Sequence, residues 1–319
     1  MKHVLLTACL LSLMATTYAQ DEAATEAAVE GPWKKGGIAG LNFSQTYLSN
    51  WQGGGNNAIN GTAILSLYAN YAKDKWTWDN TFDAAYGQTL IGKLDDGAQF
   101  QKTDDKIEIN SKVGHTTPLL NVYWAGLATF RTQWDAGYDY GTPTRPLISD
   151  PFAPGYFLLG TGIDYKPSEG FSVYLSPLTA KVTIVDNQRL ANAGAFGVAA
   201  AEYDPVTGAM TAEGENVRYE IGGYLKVAYQ KDLMENVKLT TKADFFANYL
   251  QNAGNIDVNW ETLIAMKINK FLTASLSTHL IYDDDINIAV DRNDDGINDG
   301  NGPRIQFKEV LSLGLSYQF

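Results

Sequence analysis

Cysteine is almost missing from this sequence: the one residue of its kind, Cys9, lies in the N-terminal stretch. If that stretch is removed, disulfides, thiol nucleophiles and cysteine-ligated metals are excluded together. Histidine is nearly as scarce, with 3 residues in 319, and His3 shares the same stretch. Basic residues are outnumbered, 24 Lys and Arg against 36 Asp and Glu, for a formal net charge of −12. Phosphate binding draws on basic clusters, so nucleic acid is not expected as a partner. Beyond the N-terminal stretch no long apolar run remains, whereas a membrane-spanning helix needs roughly 20 apolar residues.

What is present begins with an export signal. Lys2 gives a positive start, Val4 to Met14 is mostly apolar, and Thr17-Tyr18-Ala19 places small residues around a bulky one. Cleavage is expected after Ala19, leaving residues 1–19 as a signal peptide. Leu6-Thr7-Ala8-Cys9 superficially resembles a lipoprotein box, but it would leave almost no apolar core before the cut. Cys9 is therefore expected to leave with the signal. Residues 20–36 open on the acidic, alanine-rich QDEAATEAAVE and read as a flexible periplasmic leader.

From residue 37 to 319 the dominant pattern has a period of two. Leu65, Leu67, Ala69 and Tyr71 interleave with Ser66 and Asn70, and Trp76, Trp78, Phe82 and Ala84 with Thr77, Asp79, Thr81 and Asp83. Such alternation gives a strand one apolar and one polar face. About twelve segments follow the rule, and many reach the roughly 9–11 residues that a tilted strand needs to cross a membrane. Pro177 breaks the phase of the seventh, Phe171–Ile184. Connections near Ala72–Lys75, Lys166–Gly170, Lys231–Asn236 and Asn269–Phe271 are tight, while those near 89–103, 135–155, 185–216 and 283–304 are long. Outer-membrane barrels have short periplasmic turns and longer outer loops. The expected fold is all-β: a transmembrane up-and-down antiparallel barrel in the bacterial outer membrane, both termini periplasmic. The final Phe319, with apolar positions stepping back by two to Leu311, looks like a signal read by the barrel-assembly machinery. That machinery and outer-membrane lipid are the expected partners.

Several runs carry a resemblance: Ser49-Asn50-Trp51 with Gly53 to Gly55, Trp78-Asp79-Asn80, Tyr86-Gly87, Asp105-Lys106-Ile107, Asn110-Ser111-Lys112, Phe130-Arg131-Thr132-Gln133, Leu175-Ser176-Pro177-Leu178-Thr179 and Gln306-Phe307-Lys308-Glu309. In this order they resemble a Bacteroidota-type outer-membrane barrel family catalogued as domain of unknown function 3078. The resemblance extends from Trp33 over nearly all of the remaining chain. It implies an outer-membrane barrel and carries no activity and no site residues.

An enzyme acting on lipid or surface polymer would have to use His115, expected in a periplasmic turn, or His279, on the inward phase of the eleventh strand. The His-Asp-Ser-Asn run of outer-membrane phospholipases is absent, and no catalytic residue is assigned. The inward faces are rich in both charges: Asp79, Asp83, Glu108, Glu220, Asp244, Asp257 and Glu261 against Lys106, Lys112, Arg131, Arg218, Lys226, Lys238, Lys242 and Lys267. This is either a charge ladder sorting small polar solutes or an ion-pair network filling the interior. Twelve strands fall between barrels filled by side chains and those with an aqueous channel. A narrow or occluded lumen in a structural or partner-binding barrel is the first expectation, a channel for small polar solutes the second. Trp51, among glycines and amides, is read as packing into the barrel mouth, with sugar stacking as the alternative.

The sharpest site expectation is a calcium loop. Asp291, Asn293, Asp295 and Asp299 place side-chain oxygens at loop positions one, three, five and nine, with Gly296 at the turn and the Ile297 carbonyl at seven. The spacing resembles an EF-hand loop without its last glutamate, since position twelve is Gly302. Asp283, Asp284 or Asp285 would have to supply the absent carboxylate.

Overall fold

A computed structural model of the chain describes residues 31–47, 57–92, 99–168, 170–286, 288–290 and 299–319. The signal peptide, most of the leader, Trp51 with its glycines, and Asp291 to Ile297 lie outside the described residues.

Twelve long strands form a closed antiparallel barrel. They are β1 (Trp33–Thr46), β2 (Ala58–Lys73), β3 (Trp76–Ile91), β4 (Gln99–Thr116), β5 (Val122–Thr132) and β6 (Gly155–Ser168). The second half comprises β7 (Phe171–Ile184), β8 (Val217–Met234), β9 (Val237–Asn248), β10 (Ile256–Lys267), β11 (Leu272–Tyr282) and β12 (Gln306–Gln318). Each strand pairs with its neighbours in sequence, and β12 returns to β1. Closure removes most of the free edge that an open sheet of this length would present.

Because side chains alternate across a strand, the period-two pattern sorts directly onto two walls. Leu41, Phe43, Trp124, Leu159, Leu175, Leu311 and Leu315 stand exposed on the outer wall. Glu108, Asp164 and Glu220 are buried on the inner one. An outer wall this apolar suits hydrocarbon, and wherever neighbouring strands are paired the ladder satisfies the backbone there without water. Trp76, Trp78 and Trp124 lie on the outer wall near the tight-turn end, where amphipathic rings suit a lipid–water boundary.

The structure corrects three details of the sequence reading. The first strand starts at Trp33, so the last four residues of the presumed leader are barrel. There Lys34 and Lys35 pair with Asn70 and Ala69. His115 lies within β4 rather than in a turn; its ring meets the Trp76 ring edge-on at 4.7 Å. The connection after the third strand is shorter than 89–103, since β3 runs to Ile91 and β4 starts at Gln99. At Pro177 the register of β7 slips against both neighbours, between Thr161 and Ile163 on one side and Gly222 and Tyr224 on the other. Pro177 has no N–H for the ladder, so a bulge is the accommodation open to it. Pro177 and Leu178 are consecutive exposed positions, after which Thr179 is buried again. The alternation resumes one residue out of step.

Two hydrophobic clusters hold the described residues. Ala125, Leu127, Tyr174, Tyr224 and Phe246 pack inside the wall β5–β9. The long connection after β7 forms the other with Ala153 of the β5–β6 connection: Val185, Leu190, Ala191 and Val198 are buried with it around a short helix α1 (Gln188–Asn192). Asn187 caps α1 by accepting N–H bonds from Arg189 and Leu190.

Candidate functional site

The charged inward residues meet in the lumen. Glu108 on β4 is its most buried acid near mid-strand, 2% exposed. Arg131 Nε donates to it at 3.2 Å from the adjacent strand β5, and Lys242 Nζ at 3.2 Å from β9, far around the barrel. Lys106, two residues earlier on β4, reaches Glu261 of β10 at 3.1 Å. In a ring of twelve, β4 and β10 stand opposite each other. Lys242 also approaches Glu261 at 3.2 Å, and Arg131 does so at 3.7 Å. Two carboxylates and three cations thus form one network across the lumen. A lone charge buried there would be strongly unfavourable, and paired charges of both signs offset that cost.

Two further networks stand on either side. Toward the turn end, Asp164 of β6 accepts from Lys112 at 2.7 Å, and Lys166 bonds Asp79 of β3. Toward the loop end, Lys181 of β7 donates to Asp257 at 2.8 Å and lies 3.4 Å from Glu220 and 4.0 Å from Asp283. Arg218 pairs with Glu220 and Asp285 and donates to the Gly197 carbonyl, fastening the long connection after β7 to the barrel. Of the inward charges expected from sequence, Asp79, Glu108, Glu220, Asp244, Asp257 and Glu261 are in these or adjoining pairs. Asp83 instead accepts a 2.6 Å hydrogen bond from Ser66. Lys238 and Lys267 make no ion pair among the described residues.

Asp164, Lys166 and Lys181 escaped the sequence reading. Pro177 hides the phase of β7, and β6 is too apolar to display a polar face. The signal was nevertheless there: in β6, Tyr156, Leu158, Gly160, Gly162, Asp164 and Lys166 share one phase.

His279 is inward on β11, as expected, with Nε2 2.6 Å from Asn259 Oδ1 and 3.8 Å from Glu261. That arrangement ties the ring into the polar wall, beside an amide and a carboxylate, with no serine bonded to it among the described residues. Of the calcium set, only Asp299 is described. At the foot of the same connection, Asp283 and Asp284 bring carboxylate oxygens within 4.8 Å of one another and of Asp257. Lys181 already stands among them, and Asn252 and Asn255 donate to Asp284 at 2.9 and 2.8 Å. These acids are thus held by protein cations and amides.

The inner wall along β11, β12, β1 and β2 differs in kind. Ser275 meets Ser312 at 2.8 Å, Thr273 meets Ser316 at 2.7 Å, and Asn60 donates to Ser44 at 2.9 Å. Ile64 and Val310 are also inward there, each 37% exposed. Lys308 apart, this part of the lumen is accessible, uncharged and mixed in polarity.

The family described as "Protein of unknown function (DUF3078)" matches residues 43–138, under a third of the chain. No curated protein matches the sequence. Among solved structures, an outer-membrane channel from Pseudomonas putida F1 is 13% identical with a TM-score of 0.37, covering 94% of this chain and 100% of its own. The translocator domain of the autotransporter NalP from Neisseria meningitidis is 11% identical with a TM-score of 0.36, covering 99% and 96%. Outer membrane phospholipase A from Escherichia coli is 12% identical with a TM-score of 0.30, covering 92% and 94%. The barrel itself is defined by the strand pairing.

Proposed function

We propose that the protein is an integral outer-membrane barrel, both termini periplasmic, that acts as a structural or partner-binding barrel with an occluded lumen. Membrane lipid is its surroundings and the barrel-assembly machinery its partner during insertion. One observation carries the reading: Lys106 and Glu261, on opposite strands, meet at 3.1 Å, with Glu108, Arg131 and Lys242 bound into the same bridge. Side chains from opposed walls occupy the space through which an aqueous channel would run. Twelve strands make a lumen narrow enough to be closed in this way.

A channel for small polar solutes is the second reading, favoured by the accessible hydroxyl and amide groups along β11, β12, β1 and β2. Swelling of proteoliposomes in isosmotic arabinose, a small neutral sugar, separates the two. The occluded barrel gives no swelling above protein-free vesicles. Rapid swelling would overturn the first reading in favour of the second.

A further inference from the structure

Around the barrel the ladders between neighbouring strands run for ten or more residue pairs, except at the closing seam. There β1 and β12 pair only from Ile38–Gln318 to Asn42–Gly314, extended at the tight-turn end by the backbone bonds between Gly37 and Phe319. The strands themselves do not stop. β1 continues to Thr46 paired with β2 alone, and residues 306–313 of β12 pair with β11 alone. The loop-end part of the seam is therefore unzipped.

The last rung is a close one. A Cβ added to Gly314 would lie 2.6 Å from the Leu41 carbonyl oxygen and closer still to Asn42 Oδ1. β1 approaches this glycine more tightly than any other residue would allow. Beyond it, each open backbone group facing hydrocarbon would be strongly unfavourable. Water or a polar headgroup has to satisfy them.

Chemistry on the two sides of the notch differs. Outside stand Phe43 and Leu311, apolar and exposed. Inside stand the Asn60–Ser44 pair and Ser312, with Val310 and Ile64 beside them. Lys308, inward on the same stretch of β12, is engaged by Asp104 at 3.1 Å. We infer that the unzipped part of the β1–β12 seam is a side opening that takes a single-chain amphipath with an uncharged, hydroxylated head. The head bonds the amide, the hydroxyls and the open backbone groups, and the chain passes between Phe43 and Leu311 into the membrane. Among the inward residues of 43–46 and 306–313, the one cation, Lys308, is already committed to Asp104, so an anionic head finds none free there. The inference uses the membrane placement proposed above but not the closure of the lumen.

Photolabelling tests it. Proteoliposomes carry a diazirine-tailed monoacylglycerol or, in parallel, the corresponding fatty acid, and labelled peptides are mapped by mass spectrometry. The monoacylglycerol is expected to label the inward Val310 and Ile64 as well as the outer wall, at least threefold more than the fatty acid does. Continuing the register sets Ser44 opposite Ser312. A Ser44→Cys/Ser312→Cys disulfide should thus zip the seam and cut inward labelling at least fivefold, with reductant restoring it. Gly314→Ala, which loosens the last rung, should raise inward labelling and provides the test if the disulfide does not form. Labelling confined to the outer wall in the unaltered protein would overturn the inference. So would inward labelling that neither the disulfide nor Gly314→Ala changes. Swelling in arabinose would overturn the occluded lumen alone.

Discussion

Lys181 Nζ on β7 donates a 2.8 Å hydrogen bond to Asp257 Oδ2 on β10, bridging three strand steps across the loop end of the lumen. The same ammonium lies within 4.0 Å of Glu220 and Asp283, so one cation holds three carboxylates together. Lys181→Met keeps the length of the chain and leaves those acids facing one another. Removing one partner of a buried pair typically costs about 3–5 kcal/mol, and a loss on that order is expected in urea unfolding from lipid vesicles. Lys267→Met, which breaks no ion pair among the described residues, should stay within about 0.5 kcal/mol of the parent. Equal losses in the two variants would show that the network does not hold the barrel together.

Much of the barrel was legible in the sequence because a strand between lipid and lumen must alternate. Trp76, Trp78 and Phe82 against Thr77, Asp79 and Thr81 leave no freedom in which face points where. Lys181 was not legible, because the bulge at Pro177 moves every later residue of β7 to the opposite face from the one that simple counting gives. His115 was misplaced because β4 extends to Thr116, past the last clear alternation. Sequence could place Lys106 and Glu261 on inward faces, but not as partners. Which inward residues meet depends on strand number and register around the whole ring. The unzipped seam was equally hidden, since Phe43 to Thr46 look like any other paired strand.

The residues just beyond β5 offer a pH test outside the membrane-spanning strands. The Tyr86 hydroxyl donates to Asp135 at 2.8 Å, and the Ala136 N–H donates to the same carboxylate at 2.8 Å. These bonds, that of Tyr86 foremost, hold the Asp135 carboxyl below its ordinary value. A depressed carboxylate contributes stability above its unfolded pKa, about 3.9, and loses it as pH falls through the folded one. Tyr86→Phe should therefore lower the thermal midpoint at pH 7, and its gap from the parent should shrink below about pH 4. A gap independent of pH would assign the effect to packing of the ring.

Calcium remains the expectation for the connection between β11 and β12, on the spacing of Asp291, Asn293, Asp295, the Ile297 carbonyl and Asp299. Without a glutamate at position twelve, affinity is expected at roughly 10⁻⁴–10⁻³ M, as in extracellular modules. Calorimetric titration should give heat that disappears in Asp291→Ala/Asp295→Ala. Absence of binding heat in the parent would leave this segment as a polar turn-former.

The bridge between opposite walls is the centre of the account, and planar-bilayer recording of the purified barrel tests it most directly. The parent protein is expected to show no steady conductance steps. Lys106→Ala/Glu261→Ala, which removes both ends of the cross-lumen pair, should produce them. Large, steady steps in the parent, unchanged in size by the double substitution, would contradict the account.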